Sequence, residues 1–319
     1  MALPFRRRRP ATLASREARL GIILVLPALV IVLLLVVFPL LWNVSLSLRS
    51  IRLIDLSTVD FLDFSGTSLD NFHKVIGVRD FWPTVWTTLL YAFLGTAGSI
   101  LVALWAALVV KKAFIGRSLV RGLMLVPYVL PVVAASLVWR LMFHPNFGVV
   151  NEWIVAAGGT RTDFLNSRSA EVSVLGFDFT VPLALSMVIL FEVWRYFPFA
   201  FLFILARLQA IPAVYDEAAQ VDGATPIQRF WHVTLPQLTG VISILFVLRF
   251  IFTFNKFDDI FLLNGGAAGT QVVTIKIVEW LRGRADIGAA SALAIVLAVI
   301  LLLLLAVYFR WFHREEEAE

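Results

Sequence analysis

Seven residues in two apolar runs carry side chains that can do chemistry. Glu192, Arg195, Tyr196 and Phe199 stand at i, i+3, i+4 and i+7, the spacing of one helical face. Arg249, Thr253 and Lys256, at i, i+4 and i+7, share a face in the same way. Glu192 and Arg249 each lie eleven residues into their runs, which at about 1.5 Å per residue is roughly mid-membrane. Ionisable groups at that depth are costly and commonly functional. Where two such faces meet across a cavity, aromatic rings can stack on a sugar while charged groups bind hydroxyls or a phosphate. The same residues would equally serve as a structural charge network between helices, with Lys256 snorkelling outward. Both readings are open at this level.

The elements that must position these groups follow from hydropathy. Of 319 residues, 60% are hydrophobic and 15% charged, against about 45–50% and about 25% in soluble domains. A hydrocarbon core about 30 Å thick needs about 20 helical residues. Six runs qualify, near 20–42, 83–110, 119–143, 181–208, 238–263 and 287–311. Each is continuous, so helices are expected rather than the short alternating segments of a strand barrel. The expected fold is therefore an all-α membrane protein with about six transmembrane helices.

Lys and Arg set the orientation. Arg6, Arg7, Arg8, Arg9, Arg16 and Arg19 precede the first run; Lys111, Lys112, Arg117 and Arg121 fill the second connection; Arg207 and Arg229 flank the fourth; Arg310 and Arg314 follow the last. With six spans these regions share one side, which places both termini in the cytoplasm. The first run is too long for a signal-peptide core and no small-x-small site follows it, so a retained helix is expected. The organisation is a basic arm at 1–19, one membrane domain at 20–312 and an acidic tail at 313–319, with both ends expected to lack order. The net charge of +5 is explained by this asymmetry, and no nucleic-acid partner is expected.

One inner connection, at about 209–236, is unusual. Pro212 suits a first helical turn and Gly223 the left-handed residue after a last one. Thr225, Pro226 and Gln228 form a capping signature for a second short helix, and Pro236 leads back to the membrane. Val214, Ala218 and Val221 share one face, with Asp216, Glu217 and Asp222 elsewhere. Small alanines permit close approach to a groove on a partner, and Glu217 can pair with a cation there. A membrane-surface helix would favour Lys and Arg on its polar face, and this one is acidic at its start.

Glu217, Ala218, Ala219, Gly223, Val233, Leu235 and Pro236 resemble the EAA loop of bacterial ABC-importer permeases, EAA-x3-G-x9-I-x-L-P, with valine for isoleucine. Further likenesses are Pro27 with Pro39 and Ser47, SLDNF at 68–72, Pro127 and Pro131 with Trp139, FGVVN at 147–151, LQAIP at 208–212 and FDDIFLLNGGA at 257–267. Together these resemble a sugar-importer permease of the maltose and glycerol-phosphate type. Asn264 and Ala267 depart from the usual threonine and third glycine. The resemblance implies the type I ABC importer permease fold, with Asp216, Glu217, Ala218, Ala219, Asp222, Gly223, Leu235 and Pro236 forming the element that couples to an ATPase. It also implies that Glu192, Arg195, Tyr196, Phe199, Arg249, Thr253 and Lys256 stand where maltose-type permeases contact sugar. The implied partners are two ATP-binding cassette subunits, a second homologous permease, an extracytoplasmic solute-binding protein and membrane lipid. Three cations against one carboxylate point to an anionic or strongly hydrogen-bonding solute.

The absent motifs agree. There is no G-x-x-x-x-G-K-[ST] phosphate loop, so ATP and Mg are expected on partner subunits and no cofactor on this chain. No H-E-x-x-H or G-x-S-x-G motif occurs, and His73, His144, His232 and His313 are scattered, so neither a catalytic site nor a metal site is expected. With no cysteine, disulfides and thiolate chemistry are excluded. The competing expectation is a secondary transporter or channel for a small polar solute that works without an ATPase.

Overall fold

The computed structural model describes residues 13–58, 66–174 and 177–316. Among them, five helical stretches are long and apolar enough to cross a membrane, and a bent helix pair makes a sixth crossing if counted as one span. The first is α1 (Leu13–Val32), which passes through a π-turn at Leu33–Val37 into α2 (Phe38–Ser47). After the short α3 (Asp70–Ile76) come α4 (Phe81–Val109), then α5 (Arg117–Val129) and α6 (Val132–Met142). An irregular segment holds α7 (Val149–Ala156) and an antiparallel hairpin of β1 (Ala170–Val174) and β2 (Phe177–Val181). Next are α8 (Leu183–Ala210), α9 (Ala213–Val221) and α10 (Pro226–Arg229), which continues through a π-turn at Phe230–Thr234 into α11 (Leu235–Phe254). The chain ends with α12 (Asp258–Asn264), α13 (Val273–Val278) and α14 (Ile287–Glu316).

Several boundaries correct the sequence reading. The span expected at 119–143 is two helices bent by 96°. Pro131 has no N–H to continue the ladder, and Leu130 before it is extended at φ −59° and ψ 137°. The span expected at 238–263 instead runs from Pro226 to Phe254, and 258–264 is a separate helix. Pro236 lies in the first turn of α11, within one continuous helix. Its ring would press on the carbonyl four residues back, that of His232, and the π-turn around His232 widens the backbone to accept it. Pro39 and the π-turn containing Leu35 repeat this solution in the first span. A single short hairpin accompanies the otherwise helical fold among the described residues; Val, Phe and Thr enrich its strands. At the ends, α1 already begins within the basic arm and α14 continues into the acidic tail. The remainder of those two segments, 1–12 and 317–319, lies outside the described residues.

Helices α4 and α8 form the centre. Half of the most apolar window of α8 is buried, against none of that in the first span. Their close approach depends on small residues: Ala92, Gly95, Ser99, Ala103 and Ala107 are buried along α4. A Cβ at Gly95 would stand 2.9 Å from Glu192 Cγ, and one at Gly98 2.6 Å from Val193 Cγ2. Buried apolar clusters extend this seam in both directions, with Phe201, Ile204 and Leu208 meeting Leu238 and Leu245 at one end. Near the other end, Phe191 packs with Trp139, Ile260 and Ile275.

Motifs noted in the sequence prove to be joints. The buried amide of Asn71, in SLDNF, donates to the carbonyls of Ser47 and Arg49, both at 2.9 Å, and so closes the end of α2. Asn151, in FGVVN, donates to His144 and Thr162 carbonyls and accepts the Thr162 N–H at 2.8 Å. Asn264 bridges to the Leu165 carbonyl at 2.9 Å, while Gly265 and Gly266 turn the chain at φ +69° and +82°. Lys276, buried on α13, donates to Asp80 at the start of α4, and this hydrogen bond holds the Asp80 carboxyl below its ordinary value.

Two outcomes are expected. Gly98→Leu should cost about 1–3 kcal/mol through overpacking, read as a lower thermal midpoint of the solubilised protein; an unchanged midpoint would contradict the close α4–α8 seam. The Asp80–Lys276 pair has a depressed folded pKa, so its stabilisation is complete above the ordinary value of 3.8 and is lost as pH falls through the lower folded value. Asp80→Asn should therefore flatten the acid limb of a stability–pH curve.

Candidate functional site

The buried charge cluster lies where α8 and α11 face α4. Glu192 has no exposed surface. Its Oε2 accepts from Tyr91 of α4 at 2.8 Å, and its Oε1 accepts from Thr253 at 2.9 Å and from Arg249. Arg249 also donates to Thr253 at 3.1 Å. Both carboxylate oxygens are therefore engaged within the protein. An unpaired carboxylate in this setting would carry a desolvation cost of several kcal/mol, and these donors offset it.

Tyr196, one helical turn along α8, carries the remaining cations. The Arg249 guanidinium lies 4.4 Å from its ring centroid and the Lys256 ammonium 4.1 Å, within cation–π range. Its hydroxyl accepts from Arg195 at 3.2 Å and from Lys256. Asp259 is buried against Lys256 at 3.4 Å and Arg195 at 4.0 Å. Arg195 reaches further, to the carbonyl of Pro127 at 3.5 Å. That carbonyl would meet the N–H of residue 131 in an unbroken helix, and residue 131 is proline. The break in the third crossing is thus tied to the charge cluster.

All seven residues singled out from sequence come together here. Phe199 joins through Tyr128, whose ring centroid lies 5.9 Å from Phe199 and 6.1 Å from Tyr196. Tyr91, Tyr128 and Asp259 were not anticipated as members. Asp259 is buried, and the balance of three cations against one carboxylate becomes three against two. Its position three residues after Lys256 was an available signal. For Tyr91 the one available signal was a polar tip inside an apolar run.

The connection between α8 and α11 has a different character. Helix α9 ends in a Schellman turn: Ala224 N–H donates to Ala219 O at 2.9 Å and Gly223 N–H to Gln220 O at 3.0 Å, with Gly223 at φ +78°. Thr225 and Gln228 form a reciprocal capping box at the start of α10. Glu217, Ala218 and Asp222 are exposed, Ala219 is half-buried, and Val221 keeps 88% of its surface. Leu235 and Pro236 open α11. Asp216 is not free: it accepts from Arg229 at 2.9 Å and from the Gln220 amide at 3.2 Å.

A bundle of long apolar helices with a buried polar centre, a broken crossing and a short exposed helix between two spans defines a multi-pass membrane transport subunit. The chain belongs to the family of binding-protein-dependent transport system inner membrane components, whose model matches residues 99–314. Its place is accordingly the cytoplasmic membrane. It is 31% identical over 299 residues to the trehalose/maltose transport system permease protein MalF of Thermococcus litoralis, covering 93% of this chain and 95% of that one. It is 30% identical over 297 residues to the sulfoquinovosyl glycerol transport system permease protein SmoG of Agrobacterium fabrum, covering 91% and 89%. Identity to the sn-glycerol-3-phosphate transport system permease protein UgpA of Pectobacterium atrosepticum is 26% over 305 residues, covering 94% and 96%. The fold is similar to that of a bacterial ABC transporter involved in import of the acidic polysaccharide alginate, with TM-score 0.74, 21% identity and coverage of 94% and 96%.

Removing one side of the Glu192–Arg249 pair should be far costlier than replacing both. Arg249→Met is expected to lose about 3–5 kcal/mol, whereas Glu192→Leu with Arg249→Met should regain most of it. Unfolding of the purified variants checks this, and a double variant no more stable than the single would contradict the pairing.

Proposed function

We propose that the chain is the pore-forming subunit of an ATP-driven importer that moves a sugar, or a related polyol or glycerol-phosphate compound, into the cytoplasm by alternating access. The carrying observation is the short capped helix α9, whose exposed Glu217, Ala218 and Val221 stand between two spans. Its sequence is that of the EAA loop, and the chain has no phosphate loop of its own. Energy then comes from two ATP-binding cassette subunits that hold ATP and Mg and receive α9 in a surface groove. A second homologous permease completes the pore, and an extracytoplasmic solute-binding protein delivers the solute. A similar fold has been solved with an alginate pentasaccharide-bound periplasmic protein. Both termini then face the cytoplasm, a reading the Lys and Arg distribution supports.

The relatives named for trehalose/maltose, sulfoquinovosyl glycerol and glycerol-3-phosphate transport support a hydroxyl-rich solute, in two of three cases anionic. Within the cluster the roles divide. Glu192, Arg249, Thr253 and Tyr91 satisfy one another and hold α8, α11 and α4 together. Tyr196, Phe199, Tyr128 and Lys256 keep part of their surface and supply ring faces and a cation to the solute. Arg195 and Asp259 fix Lys256 and the helix break beside them.

In proteoliposomes holding the permease pair and its ATPase, Glu217→Lys should insert and assemble with the second permease. ATP-driven uptake should fall about tenfold or more, the loss expected when one partner of an interfacial charge contact is reversed. Undiminished uptake by this variant, or wild-type uptake that continues without ATPase, would favour an ATP-independent transporter or channel.

A further inference from the structure

In the coupling role proposed for the loop its exposed groups meet a partner, yet one half-exposed carboxylate of that loop is already paired within the chain. Asp216 lies in the first turn of α9, and its Oδ2 accepts from Arg229 Nη1 at 2.9 Å. Arg229 is the last residue of α10, and four-fifths of its side chain is buried. Gln220, one turn beyond Asp216, donates its amide to the same Oδ2 and to the Asp216 carbonyl, both at 3.2 Å. The pair therefore crosses the turn at Gly223 and joins α9 to the helix that continues without a break into α11.

Two further links complete a closed figure. Only Ile211 and Pro212 separate the end of α8 from the start of α9. Arg207, in the last turn of α8, donates to the carbonyl of Gln237 in the first turn of α11 at 3.1 Å. Twenty residues beyond Arg229 along the same continuous helix stands Arg249, about 30 Å away at 1.5 Å per residue, joined to Glu192 of α8. Helices α8 and α11 are thus tied to each other at the inner end and at the buried cluster, and α9 is tied to both.

We infer that Asp216 and Arg229 form an intramolecular strut that makes α8, α9 and α11 move as one body, so that displacement of α9 reaches the Glu192–Arg249 cluster. This rests on the coupling role proposed for α9. Asp216 is then a positioning residue and not a contact of the ATPase, in contrast to Glu217. Without the strut, α9 can pivot on the Gly223 turn and Pro212, and part of its displacement is spent in that pivot instead of reaching α11. The physical requirement is stiffness across the turn. The Schellman hydrogen bonds and the capping box order the backbone on either side, while the ion pair resists rotation of one helix against the other.

The test is the number of solute molecules transported per ATP hydrolysed, measured on co-purified complexes of the permease pair with its ATPase in proteoliposomes. Asp216→Asn and Arg229→Gln should each lower this ratio by roughly two- to fivefold, the range for a partly exposed ion pair, while ATP hydrolysis continues. The exchanged pair, Asp216→Arg with Arg229→Asp, should recover at least half of the loss. If the neutral variants fail to assemble, Asp216→Glu and Arg229→Lys, which keep the charges, should assemble and retain most of the ratio; assembly failure of these as well overturns the strut, because charge pairing is then not what the positions need. Loss with Asp216→Asn alone would mean that Asp216 touches the ATPase and would overturn the inference. So would two single losses that the exchange leaves unrepaired, or wild-type ratios in both singles. Failure of the coupling reading itself looks different: wild-type complexes would then show no ATP-dependent uptake at all.

Discussion

A carboxylate with no exposed surface, set among apolar helices, obliges its surroundings to supply donors. Glu192, whose backbone belongs to α8, receives them from two other helices: Tyr91 on α4, and Arg249 and Thr253 on α11. That demand fixes how α4, α8 and α11 meet, and the small residues on α4 let the backbones come close enough for it to be met. Burial of charge is here a means of specifying one arrangement, since apolar packing alone in lipid offers little preference among helix pairings.

The same economy governs the irregular backbone. Three of the prolines in the helices have a visible local remedy. Pro39 and Pro236 sit beyond π-turns that relieve the carbonyl four residues before them. Pro131 breaks its helix outright, and the carbonyl this frees at Pro127 faces Arg195 of the charge cluster. The broken crossing and the buried charges are therefore one construction. It brings Tyr128 of the third crossing beside Tyr196 and Phe199 of the fourth, so that ring surface and cation stand together.

At the end of the bundle that carries α9 the backbone is braced differently. Helix α9 is short, and helices of nine residues are marginal in isolation. Its order comes from the glycine turn, from the capping box that starts its neighbour and from Arg229. In the coupling role proposed for α9 such bracing matters more than buried area, and its apolar Val214 and Val221 remain exposed.

How much of this was legible in the sequence differs from residue to residue. The apolar runs, the left-handed Gly223 and the capping box at Thr225 follow from local rules: run length against bilayer thickness, φ preference and side-chain reach over three residues. The helical spacing of Glu192, Tyr196, Arg249 and Lys256 likewise follows from the 3.6-residue period, which the sequence carries in full. Neither the partners of these groups nor the side on which Asp259 lies is contained in that period. Whether Pro131 would break its helix and Pro236 merely widen one, and whether Asp216 would face outward or meet Arg229, was decided by contacts between segments distant in the chain. Local preference chooses among conformations of a few residues, but a buried charge is satisfied only by whatever the assembled helices bring within about 3 Å of it.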